Sequence, residues 1–384
     1  MFNQVRRAVT RATKLSRAGK LIAATLVMRD AVAASVKPPR KKRAAVPKPR
    51  KATTAKARAL PAPAKPRATL GETVRRISAG GMPAIAAKTA TKAAVARGAS
   101  FRLGSFSGES GKRSYKLYIP ARPAGAAGQG ALMPLVVMLH GCTQTPDDFA
   151  TGTGMNRLAD AQGFMVVYPA QPRGANNNRC WNWFKPADQG RDQGEPALIA
   201  GITRKILHDH PADPKRVYVA GLSAGGAAAA ILAHAYPDLF AAAGVHSGVP
   251  IGAAGDATQA FLAMRAGSPG SRLGVAMPTI IFHGDADSVV HPRNGRALAA
   301  RSLATFPRLK ETVRPGRRAD GRAFSQTTHS AASGKSFCEY WAVQDAGHAW
   351  SGGAAAGSFT DPAGPDASGE MLRFFLQHRL GQKV

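Results

Sequence analysis

Residues 216–226 read Arg-Val-Tyr-Val-Ala-Gly-Leu-Ser-Ala-Gly-Gly, with an alanine-rich segment following. The apolar run Val217 to Ala220 has the composition of a buried strand, the glycines permit a sharp turn, and the alanines favour helix. Strand, tight turn and helix in that order lift the Ser223 hydroxyl clear of a sheet, and the small flanking residues let backbone approach closely enough to hold it there. In a chain with 41 glycines a G-x-S-x-G is weak by itself, because composition alone can produce it. Its weight comes from what the chain places after it.

Pro278 to Phe282 reads as a buried parallel strand, and it ends in His283-Gly284-Asp285-Ala286-Asp287, a carboxylate-bearing loop. Further on comes Ala346-Gly347-His348-Ala349-Trp350-Ser351-Gly352-Gly353. The order Ser, Asp, His is the one the α/β-hydrolase fold imposes, and it differs from the orders of chymotrypsin and subtilisin. In this reading Ser223 is the nucleophile, His348 takes its proton and returns it to the leaving alcohol, and a carboxylate holds the imidazole tautomer. Asp285 and Asp287 compete for the last role. The usual three-residue offset from the His-Gly pair favours Asp287, and Asp285 reads as a turn cap.

A second requirement is an oxyanion site. Pro134 to Leu139 is a near-continuous apolar strand followed by His140-Gly141-Cys142-Thr143-Gln144, where such a fold supplies a backbone N–H to a developing negative charge. The Cys142 and Ala224 amides are the expected donors, and His140 reads as a brace for the loop. Acyl transfer by these groups needs no cofactor. The chain has no Rossmann or P-loop signature and no paired metal-ligand spacing, so no metal site is expected.

Four separated motifs now stand in order: residues 139–144, Cys180-Trp181-Asn182-Trp183-Phe184, residues 221–226 and residues 347–353. With the tail 359–368 they resemble the polyhydroxybutyrate (PHB) depolymerase family of esterases over about residues 113–380. The resemblance implies a serine esterase of the α/β-hydrolase superfamily, acting on short-chain 3-hydroxyalkanoate polyesters or oligomers. Feruloyl and acetylxylan esterases share much of the pattern and supply the alternative substrate class. The resemblance also implies a Cys142–Cys180 disulfide clamping the oxyanion loop to the tryptophan loop, with two buried free thiols as the alternative reading. Cys338 reads as core. Many such esterases are secreted, which implies an extracellular location.

Trp181, Trp183 and Trp350 offer large apolar faces near the expected site, suited to an aliphatic polyester or an aromatic acyl group, with Trp350 the foremost candidate for a pocket wall and core packing the alternative for each of them. Arg173, Arg179, Arg191 and Asn176 to Asn178 make a polar loop beside Trp181, read as solvated or as contacting substrate carbonyls.

The first hundred residues belong to another physical class. Lysine and arginine outnumber acids there by 24 to 2, so about +9 of the formal net charge of +31 remains for the rest of the 384-residue chain. Residues 1–36 read as a basic amphipathic helix, with a signal peptide as the rival reading, although Arg29-Asp30 interrupts the short apolar run. Without cleavage the location would be cytoplasmic or granule-associated. Residues 37–100, rich in Lys, Arg, Pro and Ala, are expected to be a disordered linker. The basic residues within 1–70 would suit an anionic surface, whether granule, membrane or nucleic acid, or would simply stay solvated; no aromatic is interleaved with 37–67, which leaves no stacking platform for bases. A protein acting through this tail alone is the competing function of another class.

Residues 101–384 are expected to form one domain, with a mostly parallel central sheet and helices on both faces. Strands are expected at 114–119, 135–139, 164–168, 217–220, 242–246, 279–282, 312–314 and 337–343, and helices at 147–161, 195–209, 225–235, 292–305 and 366–378. No run of 18 apolar residues exists.

Overall fold

The computed structural model describes residues 93–121, 131–268, 277–304, 306 and 308–381. The helix expected at 1–36 and nearly all of the linker at 37–100 lie outside the described residues. Ala93, assigned above to the linker, is buried in a cluster with Tyr118 and Phe164, so packed structure begins before residue 101.

In chain order the strands are β1 (Ser100–Gly108), β2 (Gly111–Ile119), β3 (Met133–Leu139), β4 (Met165–Pro169), β5 (Ala212–Leu222), β6 (Ala242–His246), β7 (Thr279–Gly284), β8 (Lys310–Arg317), β9 (Ala323–Ser330), β10 (Ser336–Val343), β11 (Trp350–Ser351) and β12 (Thr360–Asp361). The α-helices are α1 (Pro146–Thr153), α2 (Met155–Gln162), α3 (Gly194–Asp209), α4 (Ala224–Ala235), α5 (Ala257–Ala266), α6 (Arg293–Leu303) and α7 (Ala367–Phe375).

Among the described residues the first ten strands form one sheet in the order β1-β2-β4-β3-β5-β6-β7-β10-β9-β8, and β11 pairs with β12 separately. The six central strands run parallel, while β1-β2, β2-β4, β9-β10 and β8-β9 are antiparallel. Every residue of β3 is buried, as a strand covered on both faces requires. Leu135, Val137 and Leu139 pack with Ile199, Ile202 and Ile206 of α3 and the alanines of α4. Val136 and Met138 face the other way, toward Phe149 of α1, Met155 of α2 and Met371 and Phe375 of α7. Alternation along one strand thus separates the two helical layers.

Two local departures have clear causes. The single helix expected over 147–161 is two, because Gly154 takes φ 64°, ending α1 and starting α2. α5 was not anticipated, although Asp256 caps it by accepting the Gln259 N–H at 2.7 Å, an Asp-x-x-Gln start signal.

The parallel register decides where the chemistry sits. Leu139 pairs with Gly221, Leu222 with His246, and Val343 with Gly284, so the carboxyl ends of β3, β5, β6, β7 and β10 lie side by side. The loops carrying Cys142, Ser223, Asp287 and His348 all leave the sheet there.

Candidate active site

Ser223 stands between β5 and α4 with φ 57° and ψ −117°, a conformation that a residue with a side chain adopts at a cost of about 1–3 kcal/mol. Its surroundings hold it there. The Ser223 N–H donates to the His246 carbonyl at 2.9 Å, and the Ser223 carbonyl accepts from the Ala227 N–H at 2.9 Å. The neighbouring glycines are sterically required. A Cβ on Gly225 would lie 2.0 Å from the Leu139 carbonyl oxygen, and one on Gly221 would lie 2.4 Å from the Gly225 backbone.

His348 lies between β10 and β11, with its side chain 9% exposed. Its Nδ1 is 2.7 Å from Asp287 Oδ2, while Asp287 Oδ1 accepts the Val289 and Val290 N–H groups at 2.9 and 2.8 Å. Burial pushes the Asp287 carboxyl up. Its hydrogen bond with His348, the nearby His348 and His283 imidazoles and the Val290 N–H outweigh that and hold it below its ordinary value. With Nδ1 committed to the carboxylate, His348 has Nε2 left for a proton from Ser223. The Ser223 hydroxyl makes no hydrogen bond among the described residues, and a serine–imidazole contact of this kind often tightens only around substrate.

Asp285 does different work. It is exposed, its N–H donates to the Val343 carbonyl at 3.0 Å, and its Oδ1 accepts the Asp345 N–H at 2.7 Å, joining the end of β7 to the end of β10. Gly284 makes that junction possible, since a Cβ there would sit 2.2 Å from the Ala346 carbonyl oxygen.

Cys142 and Ala224 line the same cavity as Ser223, and among the described residues neither N–H donates to an acceptor. The first loop is fixed from several sides. Gly141 N–H donates to Gln144 Oε1 at 2.9 Å, and Gln144 Nε2 donates to Asp148 Oδ2 and to the Ser358 carbonyl, both at 3.0 Å. Thr143, at φ 67°, donates its N–H to the Asn178 carbonyl at 2.6 Å. Cys142 and Cys180 are joined by a disulfide, with their Cα atoms 4.2 Å apart, whereas Cys338 is a buried free thiol pushed up to about 12 by burial.

His140 is a brace. Its Nε2 accepts the Gln171 N–H at 3.1 Å, so Nδ1 carries the proton and donates to the Gly141 carbonyl at 2.8 Å. Burial lowers its pKa to about 4 and keeps it neutral. Buried Glu195 anchors the adjoining loop, accepting the Asn182 N–H and side-chain amide, each at 2.7 Å.

Ser223, Ala224, Cys142 and His348 open onto one cavity of about 400 Å³. Its apolar wall includes Trp183, Phe184, Val249, Phe261, Met264 and Phe359, and Asn176 to Asn178 also line it. The other two tryptophans require correction. Trp181 is fully buried, its Nε1 donating to the His140 carbonyl at 3.0 Å and its ring lying under the Arg113 guanidinium, 5.9 Å from the centroid. Trp350 is 1% exposed, packed between Phe149 and His246 at ring separations of 5.5 and 5.1 Å, with Nε1 donating to Ser368 Oγ. Neither lines the cavity. The wall that sequence reading missed is Val249, Phe359 and the Phe261–Met264 face of α5. Arg191 ion-pairs with Asp238 at 2.6 Å, whereas Asn176 to Asn178 line the cavity, as the substrate-contact reading of that loop requires. Among the described residues no group of three or more His, Cys, Asp or Glu could hold a metal ion.

The family model described as "Esterase PHB depolymerase" matches residues 113–322. Poly(3-hydroxyalkanoate) depolymerase C of Paucimonas lemoignei is 34% identical over 241 residues, covering 58% of this chain and 56% of that protein. Feruloyl esterase B of Thermothelomyces thermophilus is 38% identical over 128 residues, covering 33% of this chain and 43% of that one. The chain thus spans about half the length of these relatives. An acetyl xylan esterase structure from Aspergillus awamori shares the fold at a TM-score of 0.52 and 20% identity, over 72% of this chain and 99% of that one.

Proposed function

The chain belongs to the PHB depolymerase esterase family, and from that premise we propose that it is a serine esterase hydrolysing carboxylic ester bonds of short-chain polyhydroxyalkanoates or their oligomers. The observation that carries the chemistry is the 2.7 Å contact of His348 Nδ1 with Asp287, in a cavity that both His348 and Ser223 line.

The reaction follows from these positions. Ser223 Oγ attacks the ester carbonyl carbon as His348 Nε2 removes its proton, and the carbonyl oxygen becomes an oxyanion received by the Cys142 and Ala224 N–H groups. Such a donor is worth about 10²–10³ in rate, because it is already oriented when the charge forms. Collapse breaks the bond to the alcohol oxygen, which leaves with the proton from His348. Water then attacks the acyl-Ser223, gives its proton to His348, and frees the acid and the serine. Asp287, held below its ordinary pKa, stays ionised throughout and stabilises the imidazolium.

The substrate class rests on the family and on a cavity wall that is chiefly apolar, suited to alkyl side groups. The likeness to a feruloyl esterase, with Trp183, Phe184 and Phe261 on that wall, favours an aromatic acyl group as the second reading. The basic residues within 1–70, outside the described residues, would hold the enzyme at an anionic surface such as a granule, membrane or nucleic acid, in a salt-sensitive way. A disulfide at Cys142–Cys180 suits an oxidising, extracellular setting.

Acid release from a 3-hydroxybutyrate oligomer and from a feruloyl ester, measured for the full chain and for Ser223→Ala, tests the reading. Ser223-dependent release from the oligomer is expected. Release from the feruloyl ester alone would transfer the enzyme to carbohydrate esters, and oligomer hydrolysis surviving in Ser223→Ala would overturn the mechanism.

A further inference from the structure

The cavity beside Ser223 is lined by apolar and neutral polar side chains with one exception besides His348. Arg265, on the last turn of α5, is the only Asp, Glu, Lys or Arg among its described lining residues. The guanidinium is exposed and makes a single hydrogen bond, from Nη1 to the Ser288 carbonyl at 3.2 Å. Ser288 follows Asp287 directly and also lines the cavity, so that bond places Arg265 beside the loop that orients His348.

Among the described residues five arginines of the domain are held by acids, while Arg265, like several others, is not. Arg191, Arg216, Arg322, Arg373 and Arg379 each meet an aspartate or glutamate within an ion-pair distance. Among the described residues Arg265 meets none. Its place at the end of α5 complements the helix dipole, but a lysine or an outward-turned arginine would do that equally well. A guanidinium with most of its five N–H donors uncommitted, at the edge of an apolar catalytic cavity, is suited to one ligand chemistry above others: a carboxylate, which its planar fork meets in two parallel hydrogen bonds.

We infer that Arg265 is a specificity-determining residue that binds the free carboxylate of an acid-terminated hydroxyalkanoate oligomer. This rests on the esterase reading above. An oligomer of 3-hydroxy acids carries one free carboxylate, on the unit whose hydroxyl oxygen forms the last ester bond; interior units of a polymer carry none. With the terminal carboxylate on Arg265 and the last ester carbonyl at Ser223, the leaving alcohol is a 3-hydroxy acid anion. The enzyme then trims soluble oligomers from the acid end. Acetyl and feruloyl sugar esters, which lack that carboxylate, gain nothing from Arg265.

The test compares wild type, Arg265→Gln and Arg265→Lys on the 3-hydroxybutyrate trimer and on its methyl ester. The readout is the ratio of kcat/KM for acid over ester, which cancels any general loss of activity. Wild type should prefer the acid, the glutamine variant should lose about tenfold of that preference, and lysine should restore part of it, as a point charge without the fork. An unchanged ratio in Arg265→Gln would overturn the inference. A second readout separates this from failure of the polyester reading: inhibition of 4-nitrophenyl butyrate hydrolysis by 3-hydroxybutyrate. If neither trimer is cleaved, the substrate assignment falls. Arg265 is then judged by whether the glutamine variant weakens that inhibition about tenfold, which supports carboxylate binding, or leaves it as in wild type, which ends it.

Discussion

His348 Nδ1 and Asp287 Oδ2 lie 2.7 Å apart, while Asp285, two residues away in sequence, spends its Oδ1 on the Asp345 N–H. Two neighbouring carboxylates therefore have separable roles. Asp287→Asn should lower kcat by about 10⁴, because an amide at that position no longer imposes the tautomer that leaves Nε2 free to accept. Asp285→Ala removes the acceptor of the Asp345 N–H at an exposed turn and should cost about 1 kcal/mol of stability with kcat nearly unchanged. Steady-state kinetics and urea melts of the two variants decide it, and a larger kinetic loss in the Asp285 variant would reverse the assignment.

Burial makes acid a specific threat to this fold. His140 is lowered to about 4, and His246 and His378 to about 3, each chiefly by burial. An unfolded histidine titrates near 6.5, so in the window from about 6.5 down to 4 the unfolded chain binds protons that the folded one refuses. Stability is fully present above about pH 6.5 and falls on acidification, at about 4 kcal/mol per pH unit near pH 5 if all three stay neutral when folded. Asp287, lowered as well, adds its own loss only below the ordinary carboxylate range near pH 4. Urea unfolding free energies at pH 7, 6 and 5 should therefore drop steeply. A flat profile would mean these imidazoles are charged in the folded protein.

The Cys142–Cys180 bridge closes a loop across 38 positions of sequence and ends at a proposed oxyanion donor. Chain-entropy reasoning assigns such a closure up to about 4 kcal/mol. The Thr143 N–H to Asn178 carbonyl bond spans the same two loops and uses no atom of the bridge. The double variant Cys142→Ala/Cys180→Ala should thus lose stability on that scale but keep a measurable kcat, with a fall of less than about 10²-fold, the effect of losing one donor outright. Guanidinium melts with and without reductant give the first quantity and initial rates the second. A wild type indifferent to reductant in both would remove the bridge from the account.

What could be read from the sequence follows a physical division. Gly221, Gly225 and Gly284 have no room for a Cβ against backbone of another segment, and that local demand leaves its mark in short motifs. The parallel register then brings together loops far apart in the chain, which the strand-helix alternation already implied. The substrate wall left no such mark. Phe261 and Met264 come from a helix remote from every motif, and Phe359 from a loop whose Ser358 also braces the oxyanion turn through Gln144 and Asp148. Nearness to His348 in sequence misled at Trp350, because His348 and Ala349 lie in a bend, with the Ala349 N–H donating to the Gly347 carbonyl at 3.0 Å, and the strand begins only at Trp350, so a two-residue offset does not set which side the ring takes.

That misreading yields a sharp contrast between two tryptophans. Trp183 is buried but lines the cavity, whereas Trp350 fills the layer beneath it, between Phe149 and His246. Removing an aromatic ring from such a core costs about 3–5 kcal/mol, so Trp350→Ala should be strongly destabilised, and the cavity it leaves loosens His246, whose carbonyl holds the Ser223 N–H. Trp350→Phe should recover most of the stability, losing chiefly the indole bond to Ser368. Trp183→Ala opens the wall instead. It should raise KM for short acyl esters by about tenfold, since a lost apolar contact in a binding pocket is worth about 1–3 kcal/mol, and enlarge the range of acyl groups accepted. Thermal melts paired with KM across butyryl, hexanoyl and feruloyl esters separate the cases, and an altered acyl preference in Trp350→Phe would return that residue to the pocket wall.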